Sequence, residues 1–426
     1  MRPARRCKRW AGWARLAIAL LAGLIALAGC GSKHKADTAD GRIHGRVLTI
    51  YASMPLNGAS RVSGEAVVSG ARLALAQLHG RIGDYQIALK VLDDATAKRG
   101  GWDPDQTTIN ARVAVLDPTT IGYLGELNSG ASAVSIPPLN RAGIPQVSPA
   151  STAVGLTAAG PSAFPGEPQK YYPSGVRTFV RVVPNDIVQS IAQVRAQRGL
   201  GCHQTYVLDD GEVDGADAAR TFDVAAQRAG IRVPAIQAFP RDAPNYKALA
   251  AGVAQTHPDC VLISADAESG AVGLTEQLAA TMPGVKLFGS AGLAESTYTD
   301  PAQGGIPASI DDRVVLTAPN LADSEYPPSA RAFAAAYQRR YGPIEPDSIF
   351  GYEAMSLLLS AIARATDHGA KPAVRSAVRS ALFATQDRHS VLGTYSVDRD
   401  GDTTLRRYGV YGIVAGRLSF WQAIAA

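Results

Sequence analysis

After residue 45 the chain alternates between short apolar runs and amphipathic stretches. The apolar runs are rich in β-branched and aromatic residues, which predicts strands at 45–51, 86–93, 120–125, 144–147, 206–209, 231–239, 260–263 and 285–288. Between them, apolar residues recur at the spacing of one helix face, which predicts helices over 64–79, 104–115, 131–141, 216–229, 246–256 and 270–281. Strands that alternate with helices in this way predict parallel sheets covered by helices on both faces.

The alternation stops at 158–175, a stretch rich in Pro, Gly and Ser, and then starts again. We therefore predict an α/β fold with two lobes, each a doubly wound parallel sheet. Residues 329–383 have a mostly helical pattern, and 391–411 look like strands around a turn at 398–402.

Small polar residues follow two neighbouring predicted strands, in the segments GELNSGASA (125–133) and VSPAST (147–152). Ligands of open α/β sheets gather at the carboxyl ends of strands. We expect Asn128 or Ser129 to cap the helix that follows, where free N–H groups attract an anion. Thr152 and the backbone of Ala150 follow the next strand and are expected to face the same space. The alternative is that these hydroxyl groups only cap helices and fill turns.

The first residues have the pattern of an export signal. Residues 1–29 carry six basic residues and no acid, and 16–27 form an apolar stretch too short to span a membrane of about 30 Å comfortably. The stretch ends in LAGC, which resembles a bacterial lipobox, so Cys30 is expected to be lipidated after removal of a signal peptide at 1–29. Residues 30–44 then form a lipidated polar tether. A plain signal peptide or an uncleaved N-terminal anchor is the alternative.

The charge balance changes once this signal is set aside. The whole chain has a net charge of +5, but without the six basic residues of 1–29 it has 36 basic and 37 acidic residues. No nucleic-acid footprint remains. The seven histidines lie outside any metal-binding spacing, and we expect neither a metal nor a cofactor.

Several segments, in this order, resemble the leucine/isoleucine/valine-binding family of type I periplasmic binding proteins, which capture solutes for ABC importers. They cover nearly the whole chain after the signal and are MPLNG at 54–58, VLDD at 91–94, GELNSGAS at 125–132, AGIPQVSPAST at 142–152, GLT at 155–157, RTFVRVVP at 177–184 and LG…D…GD between 392 and 402. No single segment is diagnostic, but their order and spacing together make the resemblance strong.

The resemblance implies two lobes joined by three crossovers near 181–183, 317–319 and 393–394. The first lobe is then 45–182 with 318–391, and the second is 183–317 with 392–426. It also implies that Ser129, the backbone of Ala150 and Thr152 hold a solute carboxylate, with Asn128 and Ser151 beside them. In such a fold the strands that follow Cys202 and Cys260 are parallel neighbours, so we predict a disulfide between these residues. Two buried free thiols are the alternative.

The chain departs from this family on the other side of the expected site. Family members that bind amino acids keep a glutamate for the ammonium group, and here that position is Ala291 in the turn GSAG. Their aromatic residues that cover the solute fall near Ser63, Asp214 and Asp266. Asp266, or Asp214 as a second candidate, is expected to replace the missing charge. The alternative for each is a solvated loop acid.

The expected function is therefore that of a non-enzymatic lipoprotein, monomeric and anchored outside the cytoplasm, which passes a small polar or amino-acid-like solute to an ABC permease. A sensory lipoprotein with the same fold is the second possibility. A hydrolase built on Ser129 or Ser151 is the third, but the chain has no G-x-S-x-G segment and no histidine at a spacing that marks a base.

Overall fold

The computed structural model describes residues 41–241 and 243–426. The predicted signal peptide, Cys30 and the predicted tether up to residue 40 lie outside this part of the chain. In chain order the strands are β1 Val47–Met54, β2 Arg81–Ile82, β3 Tyr85–Asp93, β4 Ala95–Thr96, β5 Gly101–Trp102, β6 Thr120–Leu124, β7 Gln146–Ser148, β8 Phe179–Arg181, β9 Thr205–Asp209, β10 Ile236–Ala238, β11 Cys260–Ser264, β12 Lys286–Gly289, β13 Val314–Ala318, β14 Arg388–His389, β15 Thr394–Tyr395, β16 Arg407–Val414 and β17 Arg417–Ala425.

The α-helices fall between these strands. They are α1 Arg61–Gln77, α2 Pro104–Leu116, α3 Ser129–Arg141, α4 Asp186–Gly199, α5 Val213–Ala229, α6 Lys247–Ala254, α7 Ala271–Thr281, α8 Ser296–Thr299, α9 Pro328–Tyr341, α10 Ser348–Ala365 and α11 Arg375–Phe383. Within residues 41–241 and 243–426, no helix combines the length and apolar character needed to cross a membrane. The same residues contain no group of His, Cys, Asp and Glu side chains arranged to hold a metal ion.

The first lobe is built on a sheet with the order β2-β3-β1-β6-β7-β8, in which only the short β2 is antiparallel to its neighbour. Helices α1 and α10 pack along each other beside it. They approach at two glycines: a Cβ on Gly70 would lie 2.0 Å from the Ser348 carbonyl oxygen, and one on Gly351 would lie 2.2 Å from that of Val67. Larger residues at either position would therefore push the helices apart.

The second lobe is built on a sheet with the order β10-β9-β11-β12-β13-β16-β17, parallel as far as β13 and antiparallel beyond it. Successive side chains point to opposite faces. Val207 and Leu262 belong to the apolar cluster that includes residues of α4 and α5, whereas Leu208 and Ile263 belong to the cluster that includes residues of α6 and α7. Both faces of the sheet are therefore buried, which confirms the predicted two-lobe α/β fold.

The chain passes between the two sheets three times within the described residues. It leaves the first sheet after β8, returns after β13 to form α9, α10 and α11, and enters the second sheet again at β16. Each passage is one connecting segment of the chain, so relative motion of the lobes is concentrated at these three segments.

The second lobe differs from the sequence prediction in several parts, of which β13, α8 and β17 were not predicted at all. The strand expected at 231–239 is reduced to β10, because Pro234 has no N–H group to continue the ladder after the isolated bridge at Arg232. Helix α4 was not predicted. Its buried face carries Gln189, Gln193 and Gln197, so the apolar periodicity that marks a helix is weak there.

Cys202 and Cys260 form a disulfide with a Cα–Cα separation of 5.9 Å, which confirms the predicted pairing. The two residues lie at the amino ends of β9 and β11, which are parallel neighbours in which Cys260 pairs with Thr205. The disulfide therefore joins the two strands at the end of the sheet opposite their carboxyl ends.

Candidate functional site

The candidate site lies in the cleft between the lobes, where the carboxyl ends of both sheets meet. On the first lobe, Asn128 and Ser129 follow β6 at the start of α3, and Thr152 follows β7. On the second lobe, Asp214 lies in the first turn of α5 after β9, and Asp266 follows β11. These five residues, predicted from two different parts of the chain, meet across the cleft.

Asp214 occupies the space that the sequence assigned to a solute carboxylate. Its Oδ1 accepts a hydrogen bond from the Ser129 hydroxyl and a second, of 3.2 Å, from Thr152 Oγ1. Ser129 Oγ in turn accepts hydrogen bonds of 3.1 Å from the backbone N–H groups of Thr152 and Ala153. The first lobe therefore holds a carboxylate with two hydroxyl groups, and that carboxylate belongs to the second lobe.

Asn128 makes the next contact between the lobes. It occupies the N-cap position of α3, but its side chain makes no capping hydrogen bond. Instead, Nδ2 donates to Asp266 Oδ2 at 3.0 Å, while Oδ1 has no hydrogen-bond partner, although the residue is only 8% exposed. The expectation that Asn128 or Ser129 caps α3 is therefore wrong, because both side chains are used across the cleft.

Further contacts between the lobes surround this centre. Val154 N–H donates to Asp217 Oδ2 at 2.7 Å, and Ser60 Oγ donates to Glu268 Oε2 at 3.3 Å. At one edge of the cleft, Arg99 of the first lobe forms an ion pair with Glu212 of the second. The lobes are thus in polar contact at several further places along the cleft.

The remaining candidates lie at the margin of this centre. Ala150 is half-buried, and its N–H donates to Ser148 Oγ at 3.2 Å. The Ser151 hydroxyl is fully buried within the first lobe, where it contacts Ser132 Oγ at 2.8 Å and donates to the Glu126 carbonyl at 3.1 Å. Ser63 lies on α1 and is 9% exposed.

Comparison with known proteins identifies the family. A family model described as periplasmic binding protein matches residues 49–417. The chain belongs to this family. No curated protein sequence matches it.

Solved structures share the fold of this periplasmic binding protein at low sequence identity. A leucine-binding protein from Thermotoga maritima is 19% identical, with a TM-score of 0.73 over 89% of this chain and 99% of its own. A branched-chain amino acid binding protein from Streptococcus pneumoniae, solved with isoleucine, is 18% identical, with a TM-score of 0.70 over 89% and 99%. A solute-binding protein of an ABC transporter from R. palustris, solved with benzoate, is 18% identical, with a TM-score of 0.70 over 89% and 98%.

Three acidic residues of this periplasmic binding protein lie near the cleft and were missed by sequence reasoning: Glu268, Glu295 and Asp347. Each is half-buried. Glu295 precedes α8 and comes four residues after Ala291, where the expected glutamate is absent. The Ala291 N–H donates to Gln189 Oε1 at 2.8 Å, so this turn contacts α4 of its own lobe. Glu295 is the first acidic residue after Ala291, so the sequence alone could have made it a candidate.

The cleft carboxyl groups raise one another's pKa. Burial is the largest cause of the rise in the pKa of Asp266, followed by the charges of Glu268, Asp210, Asp214 and Glu295. Burial also raises the pKa of Asp214, against which the hydrogen bonds from Ser129 and Thr152 and the charge of Arg181 act. The pKa of Glu295 is raised by burial and then by Glu268 and Asp347, while hydrogen bonds from Ser60 and Ser63 oppose the rise. Ionising all the carboxyl groups of the cleft together is therefore less favourable than ionising the same groups separately in water.

The chemistry available in the cleft is hydrogen bonding and charge pairing. In the described part of the chain, the hydrogen-bond partners of the Ser129 and Ser151 side chains are Asp214, Ser132 and backbone groups, and no histidine is among them. A serine nucleophile needs a base within hydrogen-bond reach. The hydroxyl, amide and carboxyl groups of the two lobes instead donate and accept hydrogen bonds across the cleft.

Proposed function

We propose that this periplasmic binding protein is a non-enzymatic, extracytoplasmic solute receptor of an ABC importer, which captures a small polar or amino-acid-like solute between its lobes. The lobes of this proposal are 45–182 with 318–391 and 183–317 with 392–426. The observation that carries it is the meeting of hydroxyl groups and carboxylates from opposite lobes at the carboxyl ends of both sheets, which is where α/β folds bind ligands.

The proposed binding residues come from both lobes. From the first lobe they are Ser63, Asn128, Ser129, Ala150, Ser151 and Thr152, and from the second Asp214 and Asp266. The direct contacts of Ser129 and Thr152 with Asp214 support a role for these three side chains. Ser151 would act indirectly, since its hydroxyl lies behind the cleft and its carbonyl accepts a hydrogen bond of 2.9 Å from Arg181.

We also propose that the protein is a monomer anchored by lipid on Cys30 at the outer face of the bacterial plasma membrane. The support is the sequence LAGC directly after an apolar stretch of signal-peptide length. A lipid anchor followed by the short tether at 30–44 would keep the two lobes close to a permease.

A thermal-shift screen tests the receptor role. The purified protein is heated with single amino acids, amides, carboxylic acids, aromatic acids and amines, because a solute that binds only the folded state raises its melting temperature. We expect at least one class to raise it, with the solute recovered chemically unchanged. A screen in which no solute raises the melting temperature, or in which a solute is turned over, would contradict the proposal.

A further inference from the structure

The cleft contains acidic side chains that form no ion pair with a basic side chain. Five acidic side chains lie along it: Asp214, Asp266 and Glu268 accept hydrogen bonds across it from Ser129, Asn128 and Ser60, and the charges of Glu295 and Asp347 act on this set. None of the ion pairs formed within residues 41–241 and 243–426 includes any of them. Asp266 is buried and the other four are half-buried, and carboxylates withdrawn from water without a positive partner are costly, so such a set is expected to have one.

The arginines nearest to these acids form ion pairs with other acidic residues. Arg181, whose charge lowers the pKa of Asp214, forms an ion pair with Asp402 at 2.7 Å. Arg241, whose charge lowers the pKa of Glu268, lies 3.5 Å from Glu212, which also pairs with Arg99. These arginines reduce the negative potential of the cleft, but they form no ion pair with its five acids.

Asn128 supplies an independent sign that a hydrogen-bond donor is missing. Its Oδ1 is an acceptor without a partner, in a residue more than nine-tenths buried, and its own Nδ2 is bonded to Asp266. Leaving a buried acceptor unsatisfied is unfavourable, because it loses its hydrogen bonds to water without gaining others. An ammonium group carries three donors and no acceptor, so it is able to serve Asn128 Oδ1 and the neighbouring carboxylates together.

The place for a ligand carboxylate is filled by the protein itself. Ser129 and Thr152 both donate to Asp214 Oδ1, and the N–H groups of Thr152 and Ala153 both donate to Ser129 Oγ. The next N–H group, of Val154, donates to Asp217. A carboxylate on the solute would have to displace Asp214 and would enter a cleft that is already negative.

Building on the proposed receptor function, we propose that the solute is an organic cation with at least two ammonium or guanidinium groups and no carboxylate. Its positive groups lie among Asp266, Glu268 and Glu295 and contact Asn128 Oδ1, while Asp214 remains bound to Ser129 and Thr152. A single ammonium would leave most of the acids unpaired, whereas two or more match them better.

Two probes that differ by one group test this inference directly. Lysine and 1,5-diaminopentane have the same carbon chain and the same two amines, and only lysine has the carboxylate. Titration calorimetry on the full mature protein is expected to give a Kd for 1,5-diaminopentane at least tenfold lower than for lysine, and no heat with leucine. Agmatine and arginine form a second pair that differs in the same way, with the same expected order.

Matched variants locate the cation. Asp266→Asn and Glu268→Gln keep side-chain size and remove charge, and each is expected to raise the Kd for 1,5-diaminopentane at least tenfold. Glu276→Gln on α7, an exposed acid outside the cleft, is the control and is expected to leave the Kd unchanged. Because the probe pairs are compared on the unaltered protein, the test remains decisive even if a variant fails to fold.

The outcomes separate the two proposals. Lysine binding as tightly as 1,5-diaminopentane, or binding of leucine or benzoate with no response to any amine, would overturn the dication inference and leave the receptor function standing. Amine binding that Asp266→Asn, Glu268→Gln and Glu276→Gln all leave unchanged would overturn it as well. Absence of binding by every solute in the wider screen would overturn both.

Discussion

Arg181 Nε donates a hydrogen bond of 2.7 Å to Asp402 Oδ1 and joins two of the three passages between the lobes. The Arg181 side chain is fully buried at the end of β8, and its Nη1 donates to the carbonyl groups of Ser151 and Ala153. Asp402 also accepts hydrogen bonds from Thr157 and Asn185. The buried ion pair between Arg181 and Asp402 therefore fixes the position of the loop that carries Thr152. The same ion pair joins two of the passages between the lobes.

Removing one partner of this ion pair should destabilise the protein strongly. Asp402→Ala leaves the Arg181 guanidinium buried without its carboxylate, which costs about 3–5 kcal/mol. Urea unfolding followed by circular dichroism measures the loss. Asp400→Ala is the control, because its pair with Arg177 is 3.7 Å long and partly exposed, which is worth about 1 kcal/mol or less. Equal effects of the two substitutions would contradict the role given to Arg181.

The disulfide should stabilise the second lobe without influencing the cleft. It closes a loop with a sequence separation of 58, for which the chain-entropy model gives about 4 kcal/mol. We expect the Cys202→Ala, Cys260→Ala double variant to unfold at lower urea concentration and to bind the same solute with unchanged Kd, because both residues lie at the end of the sheet away from the site. Reaction of two thiols per molecule in unreduced, denatured wild-type protein would contradict the bridge.

The free protein should lose stability as the pH rises from 5 to 8. Burial raises the pKa of Asp186, Asp214 and Asp266, and it raises that of Asp217 to about 7 even though Arg220 opposes the rise. A carboxyl group whose pKa is higher in the folded state holds its proton more tightly there. Its contribution is complete below the unfolded pKa and is lost as the pH rises through the folded pKa.

Carboxyl groups with lowered pKa do not reverse this trend in the same window. Asp103 and Asp117 titrate below their usual range, so their contributions are constant above pH 5. Differential scanning calorimetry without solute should show a melting temperature that falls by a few degrees, since about 1 kcal/mol moves it by about 2–4 °C in a domain of this size. Asp217→Asn should flatten the dependence, and the exposed Asp312→Asn should not. A melting temperature that rises over this range would refute the assignment.

Anchoring is tested at Cys30. Cys30→Ser removes the thiol that would receive lipid, so we expect the variant to leave the membrane fraction and the wild type to remain in it. Cell fractionation with immunoblotting measures the distribution, and Cys202→Ser serves as the control for loss of an unrelated cysteine. Membrane retention of the Cys30 variant would point to an uncleaved N-terminal anchor.

The sequence predicted the sheets better than it predicted the contacts in the cleft. Apolar alternation and helix spacing located eight of the twelve strands and six of the seven helices up to β12, and the small polar residues after two of these strands placed Ser129 and Thr152 at strand ends. Helix α4 was missed because its buried face includes three glutamines, two of which form hydrogen bonds with Thr317 and Thr205. The contact of Asp214 with Ser129 joins residues 85 positions apart on different lobes, and no local pattern encodes such a contact.

Glu295 shows a different limit of the sequence. The resemblance pointed to position 291, where the chain has alanine, and Glu295, an acid near the cleft, lies four residues later at the N-cap of α8. Position along an alignment does not decide which side chain reaches a cleft, because a turn of irregular backbone is able to present either residue.

Removing the carboxylate of Asp214 should change which solute the protein prefers. If this side chain fills the carboxylate position, Asp214→Ser leaves the Ser129 and Thr152 hydroxyl groups free to donate to a solute carboxylate and removes one negative charge from the cleft. We expect the ratio of the lysine Kd to the 1,5-diaminopentane Kd to fall at least tenfold, about 1.4 kcal/mol, in titration calorimetry. Adding Thr152→Ala to the same variant should restore part of the original ratio, since it removes one of the two donors. An unchanged ratio in Asp214→Ser would mean that Asp214 does not compete with the solute for Ser129 and Thr152.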